Sequence, residues 1–226
     1  MDPNPSAGLI ESAIKKAVVY SAIAVIGFIA LGFLALYWPE DKMLRQSEYS
    51  KVKTWFSGGN AIPSGMIFVD ESKTTNSEVA DNYPAEGDML SLLEEWGRKE
   101  GFAKLYVAPD RCTSAGPRSI TVSIVLLNDP SGTQQYYAWL REYDQDEGDE
   151  FETVPIGSAG YQFWSEIESS CSDAVASQIE ICFRRNNALG VVKVAGSTGQ
   201  ASLFLDTARQ LATILDEILQ QKTSQQ

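Results

Sequence analysis

The three cysteines, Cys112, Cys171 and Cys182, are the residues of this chain with the most reactive side chains. The chain has no histidine, which excludes catalytic schemes that use an imidazole base and metal sites that use imidazole ligands. The spacing of the cysteines matches no zinc, haem or redox motif. We therefore expect the cysteines to be structural, and we predict no catalytic residue, no cofactor and no enzymatic activity.

One disulfide is expected if the cysteines lie outside the cytoplasm. Cys112 and Cys171 both lie in loop-like sequence, whereas Cys182 lies in strand-like sequence. Three outcomes stay open: a Cys112–Cys171 bond, which is our first choice, a Cys171–Cys182 bond, or no bond. With the first pairing, Cys182 is predicted to be a small buried hydrophobic residue.

The densest cluster of charge is acidic and consists of Glu142, Asp144, Asp146, Glu147, Asp149, Glu150 and Glu152. Carboxylate oxygens are the ligands that Ca²⁺ prefers, so Asp144, Asp146 and Asp149 are candidates for a weak metal site. The calcium-loop pattern fails, because Gly148 stands one position early and Pro155 occupies the place of the final glutamate. A solvated loop is the preferred interpretation, and a docking surface for a basic partner is the alternative.

A group of aromatic residues has helical or strand spacing: Trp96, Tyr136, Tyr137, Trp139, Tyr161, Phe163 and Trp164. This spacing favours a hydrophobic core, and a ligand pocket is the alternative. If Tyr161 and Phe163 face the core, strand alternation places Trp164 on the opposite face. An exposed tryptophan there would indicate an interface.

The net charge of −12, from 18 basic and 30 acidic residues, argues against nucleic acid as a partner. Residues 17–38 contain no charged side chain and would form a helix about 33 Å long, enough to cross a bilayer. A cleaved signal peptide is the less favoured alternative, because its apolar region is normally shorter. Within this predicted transmembrane helix, Gly27 and Gly32 would allow another helix to approach closely.

The predicted span divides the chain into a cytoplasmic head (1–16), the helix (17–38), a polar stalk (39–61) and an extracytoplasmic domain (62–221). Lysine and arginine are more frequent after the span than before it, which by itself favours the opposite orientation. We nevertheless expect the domain to lie outside the cell membrane, since long domains translocate largely regardless of charge. Residues 222–226 are predicted to be a polar tail.

Apolar periodicity divides the domain into strands and helices. Alternating or short apolar runs predict strands at 65–69, 102–107, 120–127, 160–166, 177–185 and 190–195. Helical spacing predicts helices at 86–99, 131–143 and 200–220. The order β-α-β-β-α-β-β-β-α predicts an α+β sandwich, with a mainly antiparallel sheet covered by helices. Arg184 and Arg185 precede an Asn-Asn turn, where they either bind an anion or simply end a strand.

One succession of residues resembles the pattern of a known group of domains: Trp96, Gly101, Phe102, Tyr106, Ala138, Ile156, Gly157 and the run from Phe183 to Asn187. Over about residues 62–220 the chain resembles membrane-anchored or lipoprotein domains of the PsbP-like α/β/α type. The resemblance implies an extracytoplasmic accessory protein of a membrane complex, often an energy-converting one, and transfers no catalytic residue. This chain departs from many such domains by having a transmembrane anchor instead of a lipid or a cleaved signal.

These observations predict a single-pass membrane protein whose acidic extracytoplasmic domain binds other proteins. Its expected partners are the lipid bilayer and other subunits of a membrane complex. The alternative function is a membrane-tethered domain that binds a solute or Ca²⁺ through the aromatic group and the acidic cluster.

Overall fold

The computed structural model describes residues 62–83, 88–110, 112, 116–147, 149–168, 171, 175–197 and 201–224, all within one compact unit, Lys42–Gln226. The predicted head, transmembrane helix and stalk, with Gly27 and Gly32, lie outside the described residues. Among the helices of the described part, none combines the length and apolar character that crossing a membrane requires.

The described residues form an α+β fold around a seven-stranded antiparallel sheet, with the strand order β1-β2-β3-β7-β6-β5-β4. The strands are β1 (Ile67–Thr74), β2 (Arg98–Val107), β3 (Ser119–Leu127), β4 (Asp149–Val154), β5 (Ala159–Glu168), β6 (Val175–Arg185) and β7 (Ala188–Ser197). The described helices are α1 (Asn76–Asp81), α2 (Met89–Glu95), α3 (Pro130–Glu147) and α4 (Ala201–Ser224). The predicted α+β class and antiparallel sheet are therefore confirmed.

One face of the sheet, here the α4 face, is covered by helix α4. Alternating side chains of β3, β6 and β7 point to this face: Ile120, Val122, Ile124, Leu126, Ile179, Ile181, Phe183, Val192 and Val194. They pack against the apolar stripe of α4, which includes Phe204, Leu211 and Leu215, all fully buried. Phe204 lies directly on Gly196 of β7, where an added Cβ would come within 2.0 Å of the ring. A side chain at position 196 would therefore push the helix away from the sheet.

The opposite face, here the α3 face, is covered by α2 and α3. Leu127, Leu189 and Phe163 of the sheet pack there against Leu93 of α2 and Tyr136 of α3. Asp129 caps α3, because its carboxylate accepts a hydrogen bond from the backbone N–H of Gly132 over 2.9 Å. The helices thus cover both faces of one sheet, as the sandwich prediction requires.

The predicted element order lacks one helix and one strand. Residues 70–84, where the sequence pattern predicted neither a strand nor a helix, contain the second half of β1 and helix α1. The α1 helix begins with a capping box, in which Thr75 accepts from the N–H of Glu78 and Glu78 accepts from the N–H of Thr75. Polar composition concealed α1 because none of its residues is buried.

The acidic cluster was predicted to lie in a loop, which is wrong, although its described side chains other than Asp144 are exposed as predicted: Glu142, Asp146, Glu150 and Glu152. Helix α3 extends to Glu147 and strand β4 begins at Asp149; Glu150, where φ is 52°, lies at the shift of register between Asp149 and Glu152. The helix continues because Tyr136, Leu140 and Asp144 follow one another at four-residue intervals and place Asp144 on its inner side. Asp144 is therefore half-buried rather than solvated.

Candidate functional site

A set of ionisable side chains lies on the α3 face at the centre of the sheet. We call Asp144, Tyr161, Glu180, Cys182 and Lys193 the polar cluster. Tyr161 of β5 is the register partner of Cys182 of β6, and Glu180 of β6 is the register partner of Lys193 of β7. Asp144 reaches them from the last turn of α3. Helix α3 and the sheet therefore place four ionisable groups and one thiol close together. Most of the surrounding core residues are aromatic or aliphatic.

The hydroxyl of Tyr161 donates a hydrogen bond to Oδ2 of Asp144 over 2.5 Å. Burial, reinforced by the negative charge of Glu180, raises the pKa of Asp144 from 3.8 to about 7, against the opposing effect of this hydrogen bond. Asp144 consequently exchanges its proton near neutral pH. The pKa of Tyr161 is raised by burial and by its neighbours Cys182 and Asp144, so the phenol stays protonated.

Glu180 and Lys193 form an ion pair with Nζ and Oε2 2.6 Å apart. The carboxylate side chain is 9% exposed, whereas the lysine side chain is 42% exposed. Burial lowers the pKa of Lys193, but the charge and hydrogen bond of Glu180, together with Asp144 and Cys182, raise it by more, and the lysine stays charged. The ion pair therefore extends from the buried carboxylate of Glu180 to the partly exposed side chain of Lys193.

Cys112 and Cys171 form a disulfide, with their Cα atoms 5.4 Å apart, which is the first of the three outcomes that the sequence left open. Cys182 is a free, buried cysteine. Burial raises the pKa of its thiol above the ordinary range, partly offset by the hydroxyl of Tyr161. Because the thiolate is the nucleophile, this thiol is chemically inert in the folded domain.

The aromatic residues pack against one another in groups, and Tyr137 also lines a groove beside α3. Trp96 stacks on Tyr136 with ring centroids 5.5 Å apart, and Tyr137 contacts Tyr161 at 5.4 Å. Tyr161 and Phe163 face α3, as the alternation predicts, and Trp164 lies on the α4 face. Trp164 is half-buried there and packs against the main core.

Sequence reasoning missed Tyr83, which completes the aromatic surface beside the polar cluster. Its ring makes edge-to-face contacts with Trp139 and Tyr143, each at 5.0 Å between centroids. Burial raises its pKa, and Tyr136 and Asp144 raise it further. A lone tyrosine after α1 has no periodic partner in the sequence, so no pattern indicated this position.

Of the candidate calcium ligands, the structure describes the side chains of Asp144 and Asp146, whereas that of Asp149 lies outside the described part. Asp144 accepts from Tyr161, and Asp146 is an exposed residue of α3. No group of three metal-ligating side chains is found among the described residues. The described residues therefore give the acidic cluster no metal-binding geometry.

A separate, exposed feature lies on strand β1, at the edge of the sheet opposite β4. We call Ile67, Phe68 and Val69 of β1 the apolar edge. They are 51%, 49% and 52% exposed, although large apolar side chains are usually buried. Strand β1 pairs only with β2 among the described residues, and its register shifts between Phe68 and Asp70, so Val69 forms a bulge.

Arg184 and Arg185, the candidate anion ligands, point in different directions. Arg185 is held by Asp216 of α4, with two hydrogen bonds of 2.7 and 2.6 Å. Arg184 lies on the α3 face, with its guanidinium 6.0 Å from the ring centre of Tyr137. The two arginines therefore have separate roles, and only Arg184 faces a groove.

Comparison with known proteins places few constraints on this chain. No protein family and no curated protein matches the sequence, so the resemblance to PsbP-like domains has no family match behind it. Among solved structures, the chain is similar to the extracellular domain of PknH from Mycobacterium tuberculosis. The identity is 11% and the TM-score 0.39, over 78% of this chain and 92% of that chain.

Proposed function

We propose that the chain is a single-pass, membrane-anchored protein whose extracytoplasmic domain binds a protein partner as an accessory subunit of a membrane complex. The observation that carries the proposal is the apolar edge, where three consecutive large apolar side chains are each about half exposed. Contiguous exposed apolar residues are typical of interaction surfaces, whereas single ones are ordinary. The absence of histidine and of any catalytic motif favours binding over catalysis.

The surroundings of the apolar edge favour one kind of partner surface. Asp70, directly after the edge, is exposed and has no ion pair among the described residues. The bulge at Val69 interrupts regular pairing, so continuation of the sheet by a partner strand is disfavoured. We therefore infer that the partner is another subunit with an apolar ridge flanked by a lysine or arginine, which packs its side chains against β1.

The predicted anchor supports this function energetically. A transmembrane helix at residues 17–38 would confine the domain to a thin layer beside its partners and raise their effective concentration. A modest apolar contact would then suffice for stable association.

The proposal is tested by substituting Val69→Lys in the full chain and isolating the protein from detergent-solubilised membranes. Val69 is exposed, so the variant is expected to fold. A charge at position 69, at the end of the apolar edge next to Asp70, should reduce the recovery of a complex of defined size at least tenfold, since each unpaired buried charge costs several kcal/mol.

Leu90→Lys is the matched control, because Leu90 of α2 is an exposed apolar residue, 37% exposed, away from β1. It should leave the complex intact. Recovery of the same complex from both variants, or only of monomer from the unchanged protein, would refute the role of the apolar edge.

Orientation is tested separately: protease added to intact cells should degrade the domain, and a protected domain would refute the extracytoplasmic location.

A further inference from the structure

A groove lies between the outer side of α3 and the adjoining ends of β5 and β6, and it belongs neither to the polar cluster nor to the apolar edge. Its volume is about 430 Å³, which is within the range of small-molecule sites. It is lined by Gln134, Tyr137, Ala138, Arg141, Glu142, Gln145, Ala159 and Arg184.

Small side chains give this groove its space. Six of the lining residues follow helical spacing along one stripe of α3, and Ala138 is the small residue in the middle of that stripe. Across the groove, Ala159 is the register partner of Arg184. Larger residues at either alanine would fill the groove, so the opening depends on these two positions.

The groove contains two arginines that are held in place but not neutralised. The guanidinium of Arg141 lies 5.7 Å from the ring centre of Phe151, and that of Arg184 lies 6.0 Å from the ring centre of Tyr137. Neither forms an ion pair or hydrogen bond with any described residue. Stacking on aromatic rings orients guanidinium groups while leaving their N–H donors available.

The positive charges of both arginines influence the pKa of the same residue, Tyr137. Burial raises the pKa of Tyr137 to about 12, and both Arg141 and Arg184 oppose this rise. Tyr137, Arg141 and Arg184 all line the groove, and both positive charges reach this phenol electrostatically. The groove thus carries two arginines and one glutamate, a net positive charge, in a chain whose net charge is −12.

We propose that this groove binds a small dicarboxylate of amino-acid size, with Arg141 and Arg184 each taking one carboxylate. Guanidinium groups bind carboxylates through two parallel hydrogen bonds, which suits a ligand with two such groups. Glu142, also in the lining, is available to accept from an ammonium group, so an acidic amino acid fits the set of charges best. The amides of Gln134 and Gln145 supply further donors at either end of the stripe.

The test is calorimetric titration of the full chain in detergent, in a buffer without carboxylates, with L-glutamate as the probe. Glutamate should bind, and Arg141→Gln and Arg184→Gln should each weaken binding roughly tenfold or more, as expected for loss of a charged hydrogen-bonding partner. Ala138→Leu should weaken binding by filling the space while keeping every charge. Absence of binding by the unchanged protein would overturn the proposal.

Lys99→Gln is the matched control, because it removes one positive charge from an exposed residue of β2 outside the groove. An equal loss of binding in this variant would show a general charge effect and refute the site.

Glutarate, which lacks the ammonium group, should bind more weakly than glutamate, and equal binding would refute the role of Glu142. A pentaglutamate peptide that binds tenfold more tightly than glutamate would identify an acidic peptide, not a solute, as the ligand and overturn the assignment. The Val69→Lys variant should bind glutamate normally, so this site and the apolar edge can fail independently.

Discussion

Tyr161 donates its hydroxyl hydrogen to Asp144 across 2.5 Å, which ties the last turn of α3 to the middle of β5. The carboxyl group belongs to a set of groups that influence one another, since Glu180 disfavours its charge and Lys193 favours it. The end of α3 is therefore attached to the sheet through a group that titrates near neutral pH.

Asp144→Asn should remove a pH dependence of stability. The pKa of Asp144 is about 7 in the folded domain and 3.8 in its ordinary state, so the folded state holds a proton that the unfolded state has lost between these values. Stability from this group is thus complete below about pH 4 and falls as the pH rises towards 7, by at most about 4 kcal/mol. Asparagine still accepts from Tyr161 and carries no charge. The variant should therefore be more stable than the unchanged protein at pH 8, as measured by urea unfolding.

Asp146→Asn is the control for this experiment, because it makes the same charge change at an exposed residue two positions along α3. It should leave the slope of stability between pH 4 and pH 7 unchanged. A slope that is the same in the Asp144 variant and in the unchanged protein would contradict the coupling of Asp144 to its buried surroundings.

The ion pair between Arg185 and Asp216 should contribute strongly to the attachment of α4. Two hydrogen bonds join the groups, and Oδ2 of Asp216 also accepts from the backbone N–H of Gly157 over 3.1 Å. Both side chains are about 15% exposed, so removal of one leaves the other charge poorly solvated. Asp216→Ala should lower the free energy of unfolding by about 3 kcal/mol. Glu217→Ala, at the adjacent exposed position, should change it by less than about 0.5 kcal/mol, and equal effects would argue against the ion pair.

The spacing of apolar residues was sufficient to predict most of the sheet and the apolar stripe of α4. Burial on one face repeats apolar side chains every 2 residues in β3 and about every 3.6 residues in α4. The same reasoning failed at α1 and β4, where few side chains are buried and no period develops. It also failed at Asp144, whose charge suggested solvent while its four-residue spacing from Leu140 placed it inside. The groove brings together residues from α3, β5 and β6, and the polar cluster adds Lys193 of β7. Such contacts between distant parts of the chain leave no local pattern in the sequence.

The disulfide between Cys112 and Cys171 should be the main covalent constraint on the domain. The two residues are 59 positions apart, so the bond removes much of the freedom of the unfolded chain. Replacing both with serine should cost roughly 4 kcal/mol. In the unchanged protein, a thiol-alkylating reagent should label no cysteine before unfolding, and only Cys182 after unfolding without reductant. Labelling of Cys112 without reductant would contradict the pairing.

Gly132→Ala should destabilise the domain although alanine is the better helix former. Gly132 lies in the first turn of α3, and an added Cβ would come within 1.9 Å of the backbone carbonyl oxygen of Trp96. Since backbone atoms at the end of α2 cannot move as a flexible side chain can, α3 would have to shift away from α2. The expected loss is about 2–3 kcal/mol in urea unfolding, which exceeds the gain of up to about 1 kcal/mol in helix propensity. Gln135→Ala, at an exposed position one turn later, should be neutral or slightly stabilising. A stabilised Gly132 variant would show that α2 and α3 do not make this close backbone contact.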